Sequence, residues 1–94
     1  MNGAQEAAKK WAYVMDLPED QALPCLVAFV CLRYHGKSFV RKLATGTGRI
    51  TAWQSLKIGV ALAWWGRAAK KDPWGEHYRV TKFAQAWKEG KGIE

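Results

Sequence analysis

The sequence predicts a mostly α-helical domain closed by a C-terminal β-hairpin, an α+β arrangement with a short helix at each end. Three observations lead there. Apolar residues recur three or four apart through most of the first two thirds of the chain, the spacing of helices with a buried face. After Gly66 the pattern changes to short alternation around Asp72-Pro73-Trp74-Gly75, which has Asp, Pro and Gly at the first, second and fourth positions of a type I turn. The 94 residues, 49% hydrophobic and 13% aromatic, suffice for one packed domain and argue against a disordered basic tail.

Residues 4–15 form a leading helix, with Ala7, Trp11 and Val14 on one stripe. Pro18 disfavours helix at Leu17, so the chain stops there. Pro24 would interrupt a helix begun at Glu19, so a turn is expected over Glu19 to Ala22, and the first core helix spans about 23–35, ended by Gly36. A short second core helix covers 38–44, with Ser38 as N-cap, Phe39, Val40 and Leu43 inward, and Lys37, Arg41 and Lys42 outward. After a turn at Thr45-Gly46-Thr47-Gly48, a third core helix covers 51–65 and ends at Gly66. Trp53, Leu56, Val60, Ala63 and Trp64 fall on one arc and Ile58, Leu62 and Trp65 on another, leaving Ile50, Gln54, Lys57 and Ala61 in the gap. This third helix is therefore expected to be central, with Gly59 marking a close helix crossing. The hairpin covers 67–80, and a closing helix, capped by Thr81 and ended by Gly90, covers 82–89.

Charge is distributed unevenly over these elements. The net charge is +7, and no Asp or Glu occurs between Asp20 and Asp72, a stretch that holds Arg33, Lys37, Arg41, Lys42, Arg49, Lys57, Arg67, Lys70 and Lys71. Soluble surfaces ordinarily mix both signs, so a one-sign stretch on a folded domain points to an anionic partner, polyphosphate first. The longest apolar run, residues 25–32, is less than half of what a bilayer crossing needs, and the N-terminus has no basic-then-apolar signal. A cytoplasmic protein with no membrane attachment is expected. Cys25 and Cys31 are six apart on one helix and face different sides, which rules out a bridge between them and fits reduced, buried thiols.

Three core helices followed by a basic hairpin, with Ala63-Trp64-Trp65-Gly66 before it and Tyr78-Arg79-Val80-Thr81, Phe83, Trp87 and Gly90 after it, resemble a small bacterial or phage winged helix-turn-helix domain. Ala84 stands where that family has a glycine, and no Leu follows Gly66. The resemblance implies a phage or mobile-element regulator that binds duplex DNA, with the third core helix in the major groove and the hairpin as a wing. Arg49, Thr51, Gln54 and Lys57 then lie on the reading helix, Gln54 facing an adenine edge and Arg49 a guanine or phosphate. Lys37, Ser38, Arg41 and Lys42 touch phosphates from the positioning helix, and Lys70, Lys71, Trp74, His77 and Arg79 lie on the wing. The bases fall on the short second helix, the turn and the wing, and almost none on the reading helix, so the sequence argues for holding a backbone more than for reading bases.

Trp53, Trp64 and Trp65 are assigned to the core, Trp11 and Trp87 to packing between the terminal helices, and Trp74 to an exposed position suited to interaction. Catalytic and metal chemistry find no support: Gly36-Lys37-Ser38 lacks the earlier glycine of a phosphate-binding loop, Cys31 and His35 have no second ligand pair, and the acids form no pair suited to proton transfer. The expected protein is not an enzyme and has no cofactor. Its partner is duplex DNA or another nucleic acid; the alternative is a protein-interaction module, such as an inhibitor docking on a host protein or nucleoprotein complex, and a homodimer stays open.

Overall fold

The computed structural model describes residues 3–46 and 49–90. Among these residues the chain forms five helices, α1 (Gly3–Met15), α2 (Glu19–His35), α3 (Lys37–Thr45), α4 (Ala52–Lys71) and α5 (Pro73–Lys88), and no strand. The expected C-terminal β-hairpin, and with it the wing over 67–80, is therefore absent. Part of the expected turn over residues 45–48 lies outside the described residues.

Two local causes replace the hairpin with helix. Gly66 does not end the third core helix, because Arg67-Ala68-Ala69-Lys70-Lys71 are strong helix formers and carry α4 onward to Lys71. Asp72 then breaks the helix: a residue before proline is pushed out of helical backbone, and Asp72 sits at φ −138°, ψ 71°. The Asp-Pro-Trp-Gly segment starts α5 instead of turning a hairpin. Asp72 is its N-cap, accepting a hydrogen bond from Gly75 N at 3.1 Å, and Pro73 occupies the first turn, where its missing N–H leaves nothing unpaired. The buried residues Glu76, Val80 and Ala84 then recur every fourth residue, so the alternation around Tyr78 and Val80 belongs to a helix. Thr81 is correspondingly mid-helix, its hydroxyl donating to His77 O at 2.7 Å. Gly90, at φ 77°, does close α5 in the left-handed conformation, donating to Trp87 O at 3.0 Å.

Gly66 tests the continuity of α4. Its φ is not positive, and a β-carbon there would meet nothing within 4 Å. Gly66→Ala should therefore stabilise the protein by about 0.5–1 kcal/mol through helix propensity, measured by urea unfolding. A left-handed helix end at this position would give destabilisation instead.

The other helix ends obey ordinary chemistry. Asp16, at φ 55°, ends α1 with a paired hydrogen-bond motif, Asp16 N to Tyr13 O and Leu17 N to Ala12 O, both 3.2 Å. Helix α2 begins at Glu19 and not near Leu23, because Ala22, fully buried, and Cys25 and Leu26 gain core contact that outweighs the break at Pro24. The carbonyl that loses its partner to Pro24 belongs to exposed Asp20, where water can replace it. Gly36, at φ 93° and ψ 174°, separates α2 from α3 in a backbone conformation open to glycine. It is also the N-cap residue of α3, so Ser38 lies within the first turn and makes no capping bond.

The core lies around α2, whose buried Cys25, Leu26, Phe29, Val30 and Cys31 meet α1, α3, α4 and α5. The central helix is thus α2, not α4. Helix α4 turns Ile58, Ala61 and Trp65 inward, so Ala61, expected in the exposed gap, is fully buried. Apolar residues nearly all round α4 leave its orientation undefined by periodicity. Gly59 is exposed with open space around it and marks no crossing. Trp11 packs on Trp65 with ring centroids 4.8 Å apart, and α1 meets α5, where Lys88 Nζ lies 3.3 Å from Asp16 Oδ2. Trp11 and Trp87 are both packing residues, as expected.

Candidate nucleic-acid interface

Helices α3 and α4 bring the acid-free stretch to the surface. Lys37, Arg41 and Lys42 are exposed on α3, Arg49 is exposed before α4, and Arg67, Lys70 and Lys71 are exposed on the last turns of α4. Among the described residues every ion pair uses Arg33, Arg79 or Lys88, so none of these α3 and α4 bases has an acidic partner. Helix α3 is amphipathic enough to fix the direction of its bases, since Val40 is buried and Phe39 and Leu43 are half-buried against the core.

Exposed aromatic side chains lie on α4 as well. Trp53 and Trp64, expected in the core, are 65% and 47% exposed, against 2% for Trp65. Successive steps of four and three residues put Trp53, Lys57, Val60, Trp64, Arg67 and Lys71 on one face of α4, which spans about 27 Å at 1.5 Å per residue. The end of α2 and the start of α3 border this face. Trp64 meets Tyr34 edge-on at 5.6 Å and His35 at 6.0 Å, and His35 meets Phe39 at 5.3 Å. The half-buried Lys57 ammonium lies 5.3 Å from the Phe39 ring centre and 5.8 Å from that of Trp53. His35 Nε2 is 2.9 Å from the Lys57 carbonyl oxygen, so that nitrogen carries the proton and fixes the ring against α4.

The expected base readers are otherwise engaged. Thr51 and Gln54 form a reciprocal cap at the start of α4: Gln54 N donates to Thr51 Oγ1 at 3.1 Å and Thr51 N to Gln54 Oε1 at 3.0 Å. Arg79 is bound to Glu76 at 2.8 Å and faces Asp72 at 3.6 Å, so it serves the α4–α5 corner and not a wing. Lys70 and Lys71 end α4, while Trp74 and His77 are exposed in the first turns of α5. Trp74 is 84% exposed, as expected, but beside a helix start; with Lys10, Trp11, Val14 and His77 it borders a small cleft of about 230 Å³.

A larger apolar groove of about 910 Å³, lined among others by Leu23, Val27, Val40, Leu43, Ile58 and Leu62, has no charged residue in its lining. Its α4 residues are Ser55, Ile58, Gly59, Leu62 and Ala63, and its lining includes neither Trp53, Trp64 nor any basic residue, so the groove and the basic-aromatic stripe are formed by different side chains. The two cysteines offer no reactive group. Both are buried and free, and burial pushes the Cys25 thiol up to about 12 and the Cys31 thiol to about 11, far from the thiolate a nucleophile needs at neutral pH.

The aromatic part of this face escaped the sequence reading, and with it Arg67. Its signal was the alternation of Trp and basic residues at heptad spacing from Trp53 to Lys71, visible only once α4 is continued through Gly66. No helix among the described residues is long and apolar enough to cross a membrane. Comparison of the chain with protein-family models, with curated proteins and with solved structures returns no match.

Proposed function

We propose that the protein is a non-catalytic nucleic-acid-binding protein that holds a phosphate backbone on the α3–α4 face, in the reducing cytoplasm that its free thiols suit. One observation carries this reading. The exposed bases of α3 and α4 have no acidic partner among the described residues, so their field is not cancelled locally and is directed at solvent. Such a surface attracts a polyanion and releases its counterions on binding.

The test is titration of labelled duplex and single-stranded oligonucleotides at low and moderate salt. Affinity should fall steeply with salt, and replacing Lys37, Arg41, Lys42 and Arg49 with Ala should weaken binding and flatten the logarithmic salt slope by up to about 3–4, near 0.7–0.9 per lost phosphate contact. Affinity indifferent to salt would contradict the proposal. Binding of neither form at low salt would move the reading to a protein partner, for which exposed Tyr13, Trp74 and Tyr78 on α1 and α5 are suitable anchors.

A further inference from the structure

We infer that the strand held on this face is single, with unpaired bases stacking on the tryptophans of α4; the inference rests on the nucleic-acid reading above and narrows it. A duplex offers phosphates outside and base edges in its grooves, but keeps base faces inside its own stack. A single strand offers phosphates and base faces together. The α4 face matches that combination, because Trp53 and Trp64 are exposed at 65% and 47% on the same stripe as Lys57, Arg67 and Lys71.

Three further observations favour a single strand. Trp64 is braced by Tyr34 and His35, and Lys57 lies against Trp53, so the rings are positioned before a base arrives and lose little freedom on binding. Thr51 and Gln54, the polar groups expected to meet base edges, cap each other instead. The bulky indoles on the stripe obstruct entry of α4 into a major groove, where polar side chains ordinarily meet base edges. Lys57, Arg67 and Lys71 on the stripe supply charge, the exposed bases of α3 add to the field, and because every nucleobase has a π face, this mode of binding tolerates any sequence.

The experiment measures fluorescence anisotropy of three labelled oligomers of equal length at low salt: oligothymidylate, an abasic strand with the same phosphates, and a duplex. Oligothymidylate is expected to bind at least about tenfold more tightly than the other two. Trp53→Ala and Trp64→Ala should each weaken oligothymidylate binding about tenfold while changing abasic-strand binding less than about twofold, and Trp53→Tyr and Trp64→Tyr should restore most of the loss. Circular dichroism melts of each variant confirm that it is folded. Duplex bound as tightly as oligothymidylate, or tryptophan variants that bind it unchanged, would overturn the inference while leaving the phosphate-holding face intact. Failure of all three oligomers to bind would overturn the underlying nucleic-acid reading, and the inference with it.

Discussion

Trp65→Ala is expected to lower the unfolding free energy by about 4 kcal/mol, whereas Trp64→Ala, one residue away, should cost about 1 kcal/mol. Trp65 is 2% exposed, packs against Trp11 at 4.8 Å and edge-on against Phe29 at 5.8 Å, and donates its indole N–H to Glu76 Oε1 at 3.2 Å. Truncation empties a volume bounded by three helices and removes a donor from a buried carboxylate, so cavity and polar costs add. Trp64 keeps 47% of its surface in water and packs at the rim against Tyr34 and His35. A domain of this size has about 5–14 kcal/mol of stability in all, so urea unfolding separates the two outcomes clearly. Equal losses would mean that α4 is rotated so that Trp64 and Trp65 are buried alike.

The same pair of tryptophans shows where the sequence was legible and where it was not. Helix positions up to Met15, and the short helix after Gly36, are set by apolar spacing and helix-end residues that act locally. Gly90 was readable for the same reason. The rotation of α4 was not, because Trp53, Leu56, Ile58, Val60, Leu62, Trp64 and Trp65 surround the axis and only contact with α2 decides which of them is buried. The C-terminal third was misread at one dipeptide. Asp-Pro serves both a type I turn and a helix N-terminus, and the helix formers after Gly66 were the residues that should have decided between them. The basic part of the candidate face was legible, since charge needs no orientation to be counted; its aromatic part required the rotation of α4 to be known.

Glu76→Ala is expected to destabilise the protein by about 3 kcal/mol, although no local pattern marks this glutamate. It is 1% exposed, and taking a carboxylate out of water costs several kcal/mol unless it is paired. Here pairing comes from three helices. Arg33 of α2 contacts both oxygens, Oε2 at 2.6 Å, Arg79 reaches Oε2 at 2.8 Å, and Trp65 of α4 donates to Oε1. Removing the carboxylate leaves a buried indole N–H unpaired and two guanidiniums beside each other. Their side chains are 33% and 49% exposed, so water recovers part of the loss and places the effect at the lower end of the range for a broken buried pair. Two measurements identify the cause. Added salt should narrow the gap to the native protein, because it screens the repulsion that the substitution creates. Replacing Arg33 with Met together with Glu76→Leu and Arg79→Met should recover part of the stability, since an apolar cluster of similar volume needs no compensating charge, while the Trp65 indole N–H stays unpaired. Glu76→Ala also leaves Arg33 without its acid and Arg79 with only the longer contact to Asp72, so wherever the variant remains folded its affinity for oligonucleotides should be no weaker than that of the native protein. Lower affinity in the folded variant would show that Arg33 and Arg79 are held by Glu76 for binding as well as for the fold.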